Sequence, residues 1–455
     1  MDAELATIVK VVTPAQIPYD EWDERSSRWN LFSETETNVR IIAVPSSQVD
    51  VVGIVRWAAK HQQTDIGVRA GGHGFFSSAA VVVDMRQGFD YATVNQDTGV
   101  ATIGMGQTLA ALDERTHPWH MPVGVVSHTG CGLLLTGGVG YLCKSHGTSA
   151  DNIIEVTIVT SDGRVHVCSK DKEPDLFFAV RGAAPNLGIV TEVKAQCYKV
   201  PDAMCTLRAW PSSLENVQRL IDWADQEAVL NDPNMTAYVA LMASPDKQAL
   251  CSIHVVCVGV ESNENDQKYK DLIGQLDNTG DIVLLPTSRV PFSTPQTMFD
   301  AGMSKQFWYV SQAYFPGNKT LTPASLKDCV DAYSKVPLAD TNAMVIWEQR
   351  GSDTTSAYHQ FPSDSCAQPR HGQRWECYVF YGTADKDNAE TCRTQGRAMK
   401  ETILKHAQPG GRSHLTKDEP SRIEFYYGDN SERLREVVAK YDPLRIFATC
   451  NGMKF

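Results

Sequence analysis

The sequence predicts an α+β protein built in two unlike parts, and three observations lead there. Between Val39 and Val200 short β-like runs are punctuated by glycine. Beyond about Met204 longer strand-like runs alternate with amphipathic helices. Neither part keeps the regular strand–helix–strand alternation of a doubly wound nucleotide fold, so a wholly parallel sheet is not expected. With 455 residues the chain can bury more than one core.

Taken in order, residues 1–35 are polar and mixed, with a helix expected around Tyr19–Phe32. Ile41–Val44, Ile66–Val68, Ala80–Asp84 and Val100–Ile103 read as short strands, and helical spacing appears at Val49–Ala59 and Thr108–Thr116. Ile153–Thr160 and Arg164–Cys168, joined through Asp162-Gly163, form a hairpin signal. The second part offers strands at Ala237–Met242, Cys251–Val258, Phe307–Phe315, Ala343–Trp347 and Glu376–Gly382. Its helices are expected at Ser213–Val229, Asp266–Leu276, Ser325–Tyr333 and Asn388–His406. One broad antiparallel sheet with helices over one face satisfies that pattern. Near the end Arg433–Tyr441 reads as a helix that stops at Asp442-Pro443, because proline cannot continue it. No internal repeat or low-complexity linker is visible.

Composition narrows the function classes. Apolar residues make up 42% and charged residues 21%, the proportions of an ordinary globular protein. A net charge of −12 disfavours a nucleic-acid partner, whose phosphates need a basic surface. No apolar run approaches the roughly 18 residues of a membrane span, and the first residues, Met1 to Thr7, lack a basic leader and an apolar core. The expectation is an intracellular protein with no membrane partner. All twelve cysteines lie at or after Cys131 and none is spaced C-x-x-C, which fits reduced, buried thiols. His117-Pro118-Trp119-His120 is the one tempting metal pair, and it lacks further ligands at suitable spacing, so no metal is expected.

The chemistry concentrates in Arg69-Ala70-Gly71-Gly72-His73-Gly74, directly after an apolar run. Successive glycines let backbone N–H groups approach something bulky and anionic, and a histidine stands beside it. Alone, such a tripeptide is also an ordinary tight turn. Gly130, Gly132, Gly137 and Gly138 offer further donors downstream. Around these loops, Val44-Pro45-Ser46, Asp65 through Gly74, Val82-Val83-Asp84-Met85 and Pro122-Val123-Gly124 follow one another. Ser127-His128-Thr129-Gly130, Ala150-Asp151-Asn152, Asp175 through Gly182 and Asn186-Leu187-Gly188-Ile189-Val190-Thr191 continue the series. Together they resemble the PCMH-type FAD-binding domain of the vanillyl-alcohol oxidase superfamily. Tyr426-Tyr427-Gly428-Asp429-Asn430, with Arg433-Leu434 and Lys440-Tyr441-Asp442-Pro443, resembles the terminal element of its berberine-bridge-enzyme-like branch.

The resemblance implies a two-lobed FAD-binding domain over residues 1–203 (core about 36–203) and a substrate-binding domain over 204–415. A C-terminal element over 416–455 would return to the FAD domain. FAD would be held by Arg69, Ala70, Gly71, Gly72, His73 and Gly74, by Ser127, His128, Thr129, Gly130, Gly132, Gly137, Gly138 and Asn152, and by Gly188, Ile189, Val190, Tyr427 and Asn430. His73 matches the histidine that bonds covalently to the flavin in this family; the alternative is a non-covalent loop histidine. Val126 stands where many relatives carry a second flavin-linking cysteine, so a single link is implied. Thr129 occupies the position that controls oxygen access, and its small branched shape implies reaction with molecular oxygen. The tyrosines of the usual base motif are missing. His414 falls at that place and titrates in the right range for a base; the alternative is an exposed loop histidine. Glu348, Tyr426 and Arg370-His371 are further candidates. The implied activity is oxidation of a small metabolite, in secondary metabolism, by hydride transfer to flavin N5 with oxygen as the final acceptor. A non-redox cyclase or isomerase, a carbohydrate oxidase and an inactive carrier are the competing readings. Pocket side chains from 205–415 leave the substrate unnamed.

Overall fold

The structure is a computed structural model and describes residues 2–18, 22, 26, 28–35, 39–74, 79–260, 263–277, 281–315, 321–370, 372, 374–410 and 423–447. Its first sheet has four strands in the order Lys10–Val12, Ile41–Val44, Val81–Asp84, Ile66–Arg69. The last three run parallel and the first antiparallel. A parallel pairing needs a crossover, and Gln48–His61 supplies it. That helix starts where the sequence permits: Ser47 accepts the Asp50 N–H while the Asp50 carboxylate returns to the cap backbone. Its Val51, Ile54, Val55 and Ala58 are buried at helical spacing against the sheet. This strand–helix–strand unit does not repeat.

After Asp84 the chain turns antiparallel. Five strands lie in the order Ala92–Val94, Val100–Gly104, Gly188–Gln196, Ile153–Thr160, Val165–Ser169. The expected hairpin closes through Asp162-Gly163, where Gly163 takes φ +70° and Asp162 accepts from Thr160 Oγ1 at 2.8 Å. The helix Pro174–Ala183 carries no clean periodicity, because Leu176 through Val180 are buried without a break.

The third sheet has eight antiparallel strands: Ile282–Pro291, Asp202–Pro211, Ala249–Cys257, Met235–Ala243, Asn342–Gln349, Trp375–Thr383, Phe307–Tyr314 and Gln408–Gly410. Leu214–Asp225, Asn263–Gly274, Pro323–Tyr333 and Ala389–Leu404 pack over one face. The expected helix Ser213–Val229 breaks at Gln226, whose backbone is extended (φ −63°, ψ 146°). Side chains alternate across the sheet with period two. Ala237, Val239, Ala343, Val345, Trp347, Cys377 and Val379 enter the helix-covered core, so Tyr238, Ile346, Glu348, Tyr378 and Phe380 point the other way, toward the first part of the chain.

Ile423–Tyr427 and Ser431–Tyr441 close the chain against Pro174–Ala183, burying Tyr426, Tyr427 and Leu434 in the core of the five-stranded sheet. Eleven described cysteines are buried and unbridged. Among the described residues no helix is long and apolar enough to cross a membrane.

Candidate functional site

The strand Ile66–Arg69 delivers the loop Ala70–Gly74 to the mouth of a cleft of about 900 Å³. Two glycine backbones meet there at a distance no side chain tolerates. A Cβ built on Gly71 would stand 2.3 Å from the Gly130 nitrogen, and one on Gly130 would stand 2.2 Å from the Gly71 nitrogen. Gly132 is different: a Cβ there would meet nothing within 4 Å, so its missing side chain leaves open cleft. Thr136, Ala184, Pro185, Gly188 and Val190 complete a long wall made largely of backbone and small side chains. Such a wall fits a large flat group with a polyanionic linker, which needs close backbone approach along its length.

His73 stands at the end of this cleft. Trp29 stacks on its ring, with centroids 4.8 Å apart and planes 8° from parallel. Its Nε2 lies 2.6 Å from His128 Nδ1 and its Nδ1 lies 3.4 Å from Thr129 Oγ1. One ring proton joins the two imidazoles. With that proton on His73 Nε2, the Nδ1 lone pair turns to Thr129, which lines the cleft, while His128 lines neither cavity.

A second cavity of about 930 Å³ begins at the same residues: His73, Thr129 and Leu133 line both. Most of its wall is apolar, including Trp29, Val126, Phe299, Met303 and Phe380. Its polar end comes from the free face of the eight-stranded sheet. Register sets Tyr238 opposite Glu348 and Glu348 opposite Glu376 on three neighbouring strands. Facing carboxylates would repel, and the buried Arg350 lies between them. Its Nη1 is 2.5 Å from Glu348 Oε1, and its Nη2 bonds Glu348 Oε2 at 2.8 Å and also Glu376. Tyr238 O–H donates to Glu348 at 2.6 Å, and Tyr378 O–H donates to Glu376 at 2.9 Å. Burial, with Glu348 beside it, holds the Tyr238 phenol well above its ordinary value, so the hydroxyl keeps its proton.

The FAD binding domain family model matches residues 39–169, and the berberine and berberine-like model matches residues 415–453. An FAD-linked oxidoreductase of Dictyostelium discoideum is 26% identical over 436 residues, covering 94% of this chain and 91% of that protein. The chain is an FAD-linked oxidoreductase with a berberine-like terminal segment. Among other similar proteins, (R)-6-hydroxynicotine oxidase of Paenarthrobacter nicotinovorans is 32% identical over 270 residues, 57% of each chain. In fold the chain matches Physcomitrella patens BBE-like 1 (TM-score 0.83, 19% identity, covering 100% of this chain and 99% of that one). It also matches glucooligosaccharide oxidase of Acremonium strictum, described as carrying a 6-S-cysteinyl, 8α-N1-histidyl FAD (TM-score 0.81, 18% identity, 100% and 99%).

Within this FAD-linked oxidoreductase, Ala70, Gly71, Gly72, His73, Gly74, Thr129, Gly130, Gly132, Gly188 and Val190 line the glycine cleft. Glu348 lines the second cavity. The other sequence candidates stand behind these walls. Arg69 is buried under the loop and Ile189 in the core between sheets. Ser127 gives its N–H and O–H to Asp300, at 2.8 and 2.6 Å. Gly137 and Gly138 accept from the Ala150 and Ser149 N–H groups, and Asn152 ties His146 and Thr148 carbonyls together. Tyr427 O–H donates to the Gly182 carbonyl and Asn430 to the carbonyls of Ser363 and Cys366. Tyr426 sits in the core of the five-stranded sheet and lines neither cavity. Arg370 ion-pairs with the buried Asp151. His371 and His414 lie outside the described residues. Sequence reasoning missed Trp29, Tyr238, Arg350, Glu376 and Tyr378. The available signal was a charge within an alternating apolar strand, as in Met344-Val345-Ile346-Trp347-Glu348 and Trp375-Glu376-Cys377-Tyr378.

Proposed function

We propose that this protein is a flavin-dependent oxidase of a small, largely apolar metabolite of secondary metabolism, with FAD in the glycine cleft and a single covalent link through His73. One observation carries the reading: the glycine cleft and the apolar cavity meet at His73, Thr129 and Leu133. A cofactor ring at that junction faces whatever fills the cavity. FAD, when bound, supplies a hydride acceptor at N5 and passes the electrons on to oxygen. The protein's own residues do the rest. Trp29 and His128 hold the His73 ring in one orientation, with Nδ1 toward the cleft. Val126 gives the cavity an apolar wall where a thiol would make a second link. Thr129 keeps the junction narrow yet small enough for oxygen. His414 is assigned the role of base, by its place in the sequence, and the Tyr238–Glu348 pair orients the substrate.

A carbohydrate substrate fits this cavity poorly. Every buried sugar hydroxyl needs a partner, and leaving one unmet costs about 1–3 kcal/mol. Among the described residues, the wall offers polar side chains at the sheet end and at the His73–Thr129 junction.

The test is direct. Acid-precipitated protein should keep its yellow colour in the pellet, and His73→Ala should release the flavin to the supernatant. A digested flavin peptide should contain His73 and no cysteine. Anaerobic addition of aryl-substituted alcohols and amines should bleach the flavin band for at least one of them, with peroxide released on admitting air. Turnover with the flavin still oxidised would assign a cyclisation or isomerisation instead.

A further inference from the structure

We propose that His128 serves the covalent attachment of the flavin: it fixes the reactive tautomer of His73 and takes up the proton that attachment sets free. The role rests on the covalent reading above.

Geometry names the linking atom first. His73 Nε2 is engaged by His128 Nδ1 at 2.6 Å, whereas its Nδ1 turns to Thr129 on the wall of the glycine cleft. A nitrogen bonds to carbon only through a free lone pair, and a neutral imidazole has one on the ring nitrogen that bears no hydrogen. Attack from Nδ1 therefore requires the proton on Nε2. His128 Nδ1, accepting that proton in a hydrogen bond, holds His73 in this tautomer. A pure donor in its place would impose the other one.

The electron count then says what else His128 does. Attachment forms one bond, from His73 Nδ1 to the 8α-methyl carbon of the flavin, and breaks one methyl C–H bond. The two electrons of the broken bond stay in the flavin ring until molecular oxygen takes them, with two protons, as hydrogen peroxide. One proton comes from the methyl group. The other comes from His73 Nε2, because an imidazole bonded at Nδ1 and still protonated at Nε2 carries a positive charge. That proton already lies in the hydrogen bond to His128, and it crosses to His128 as the N–C bond forms.

The surroundings hold both rings for this transfer. Trp29 stacks on His73, and its own Nε1–H donates to the Met303 carbonyl at 2.6 Å. His128 sits between pinned neighbours: Ser127 is tied to Asp300, and the Thr129 carbonyl accepts the Leu109 N–H at 2.8 Å. The His128 carbonyl packs on Gly71, where a Cβ would stand 2.7 Å from it. Lining neither cavity, His128 is a positioning residue that acts through His73. It is half-buried, so water can relieve it of the proton.

The test reads the link itself and not turnover. Full-length protein with FAD bound is kept under air, and the flavin left on the acid-precipitated chain is followed with time. His128→Ala should bind FAD yet link it about 10²-fold more slowly than the wild type, or worse. His128→Asn offers an acceptor oxygen but cannot take up a proton, and should be slowed to a similar degree. Imidazole added to His128→Ala should restore linking, whereas pyrrole, a ring of the same shape without a basic lone pair, should not. Linking at the wild-type rate in either variant would overturn the assignment. So would equal rescue by pyrrole, which would make His128 a space filler. Where His128→Ala fails to fold or to hold FAD, His128→Asn decides. Wild-type flavin that leaves with the acid would overturn the covalent reading and this role together; a linked wild type beside a fully linked variant would overturn this role alone.

Discussion

The glycine cleft and the free face of the eight-stranded sheet line adjoining spaces by opposite means. The cleft is made by removing side chains: Gly71 and Gly130 approach so closely that neither could carry a Cβ, and Gly132 leaves space where one would stand. The sheet face is made by adding them, in a row of Tyr238, Glu348 and Glu376 set by strand register and tied by Arg350. Backbone walls recognise what is common to a cofactor and tolerate little change. Side-chain walls recognise one substrate and change with a single residue. Within one chain, the glycine cleft and the sheet face therefore obey different rules for substitution.

The largest expected effect breaks the backbone side of that contrast. Gly71→Val drives a branched side chain into the Gly130 backbone, which cannot retreat, so flavin retention should be lost outright. Colourless protein, or protein that melts well below the wild type, checks this. Full yellow retention would mean that the loops do not meet as described.

Next in size is proton removal on the substrate side. His414→Ala should slow anaerobic flavin reduction by about 10²–10⁴-fold with the flavin still attached. In the wild type that rate should rise with pH as the base loses its proton. Stopped-flow traces within a few-fold of wild type would move the role to the Tyr238–Glu348 pair.

The smallest effect concerns the seam between the two regions. Lys144, from the short helix Cys143–His146, is buried and reaches Gln349 on the sheet. Burial pulls its ammonium down to about 7. In the unfolded chain the same group holds its proton to near its ordinary value of roughly 10.4. Between those limits the unfolded state binds more protons, so this group makes stability rise with pH from about 7 toward 10, and the gain is absent below 7. The slope is at most about 1.4 kcal/mol per pH unit. Tm measured from pH 6 to 10 should lose that rising component in Lys144→Met, and an unchanged profile would count against a buried, neutral amine.

Some of this was legible in the chain. Ser47 and Asp50 mark a helix start within four residues, and Asp162-Gly163 marks a hairpin within two. The loop Gly71-Gly72-His73 announces close backbone approach without any knowledge of its partner. Strands such as Asn342–Gln349 were legible as strands, though their ends were not. The strands Asp202–Pro211 and Ile282–Pro291 were missed altogether. One is buried along most of its length, and the other is a largely exposed edge with apolar residues in the open, so neither alternates cleanly. Tyr426, Tyr427 and Asn430 match a motif, yet they stand in or against the core and the 363–367 loop, because a motif marks a segment and not the direction its side chains take.

The sequence by itself determined the cofactor side of this protein. Glycines, caps and turns act through atoms a few residues apart, and their meaning survives in a short string. The substrate side was decided only by tertiary structure. Tyr238 and Glu348 are 110 residues apart in the chain and share a hydrogen bond because two strands pair in one register. A slip of one residue would turn Glu348 into the helix-covered core and bring Trp347 to the cavity. Register is set by the summed packing of the whole sheet, so no local stretch of sequence contains it.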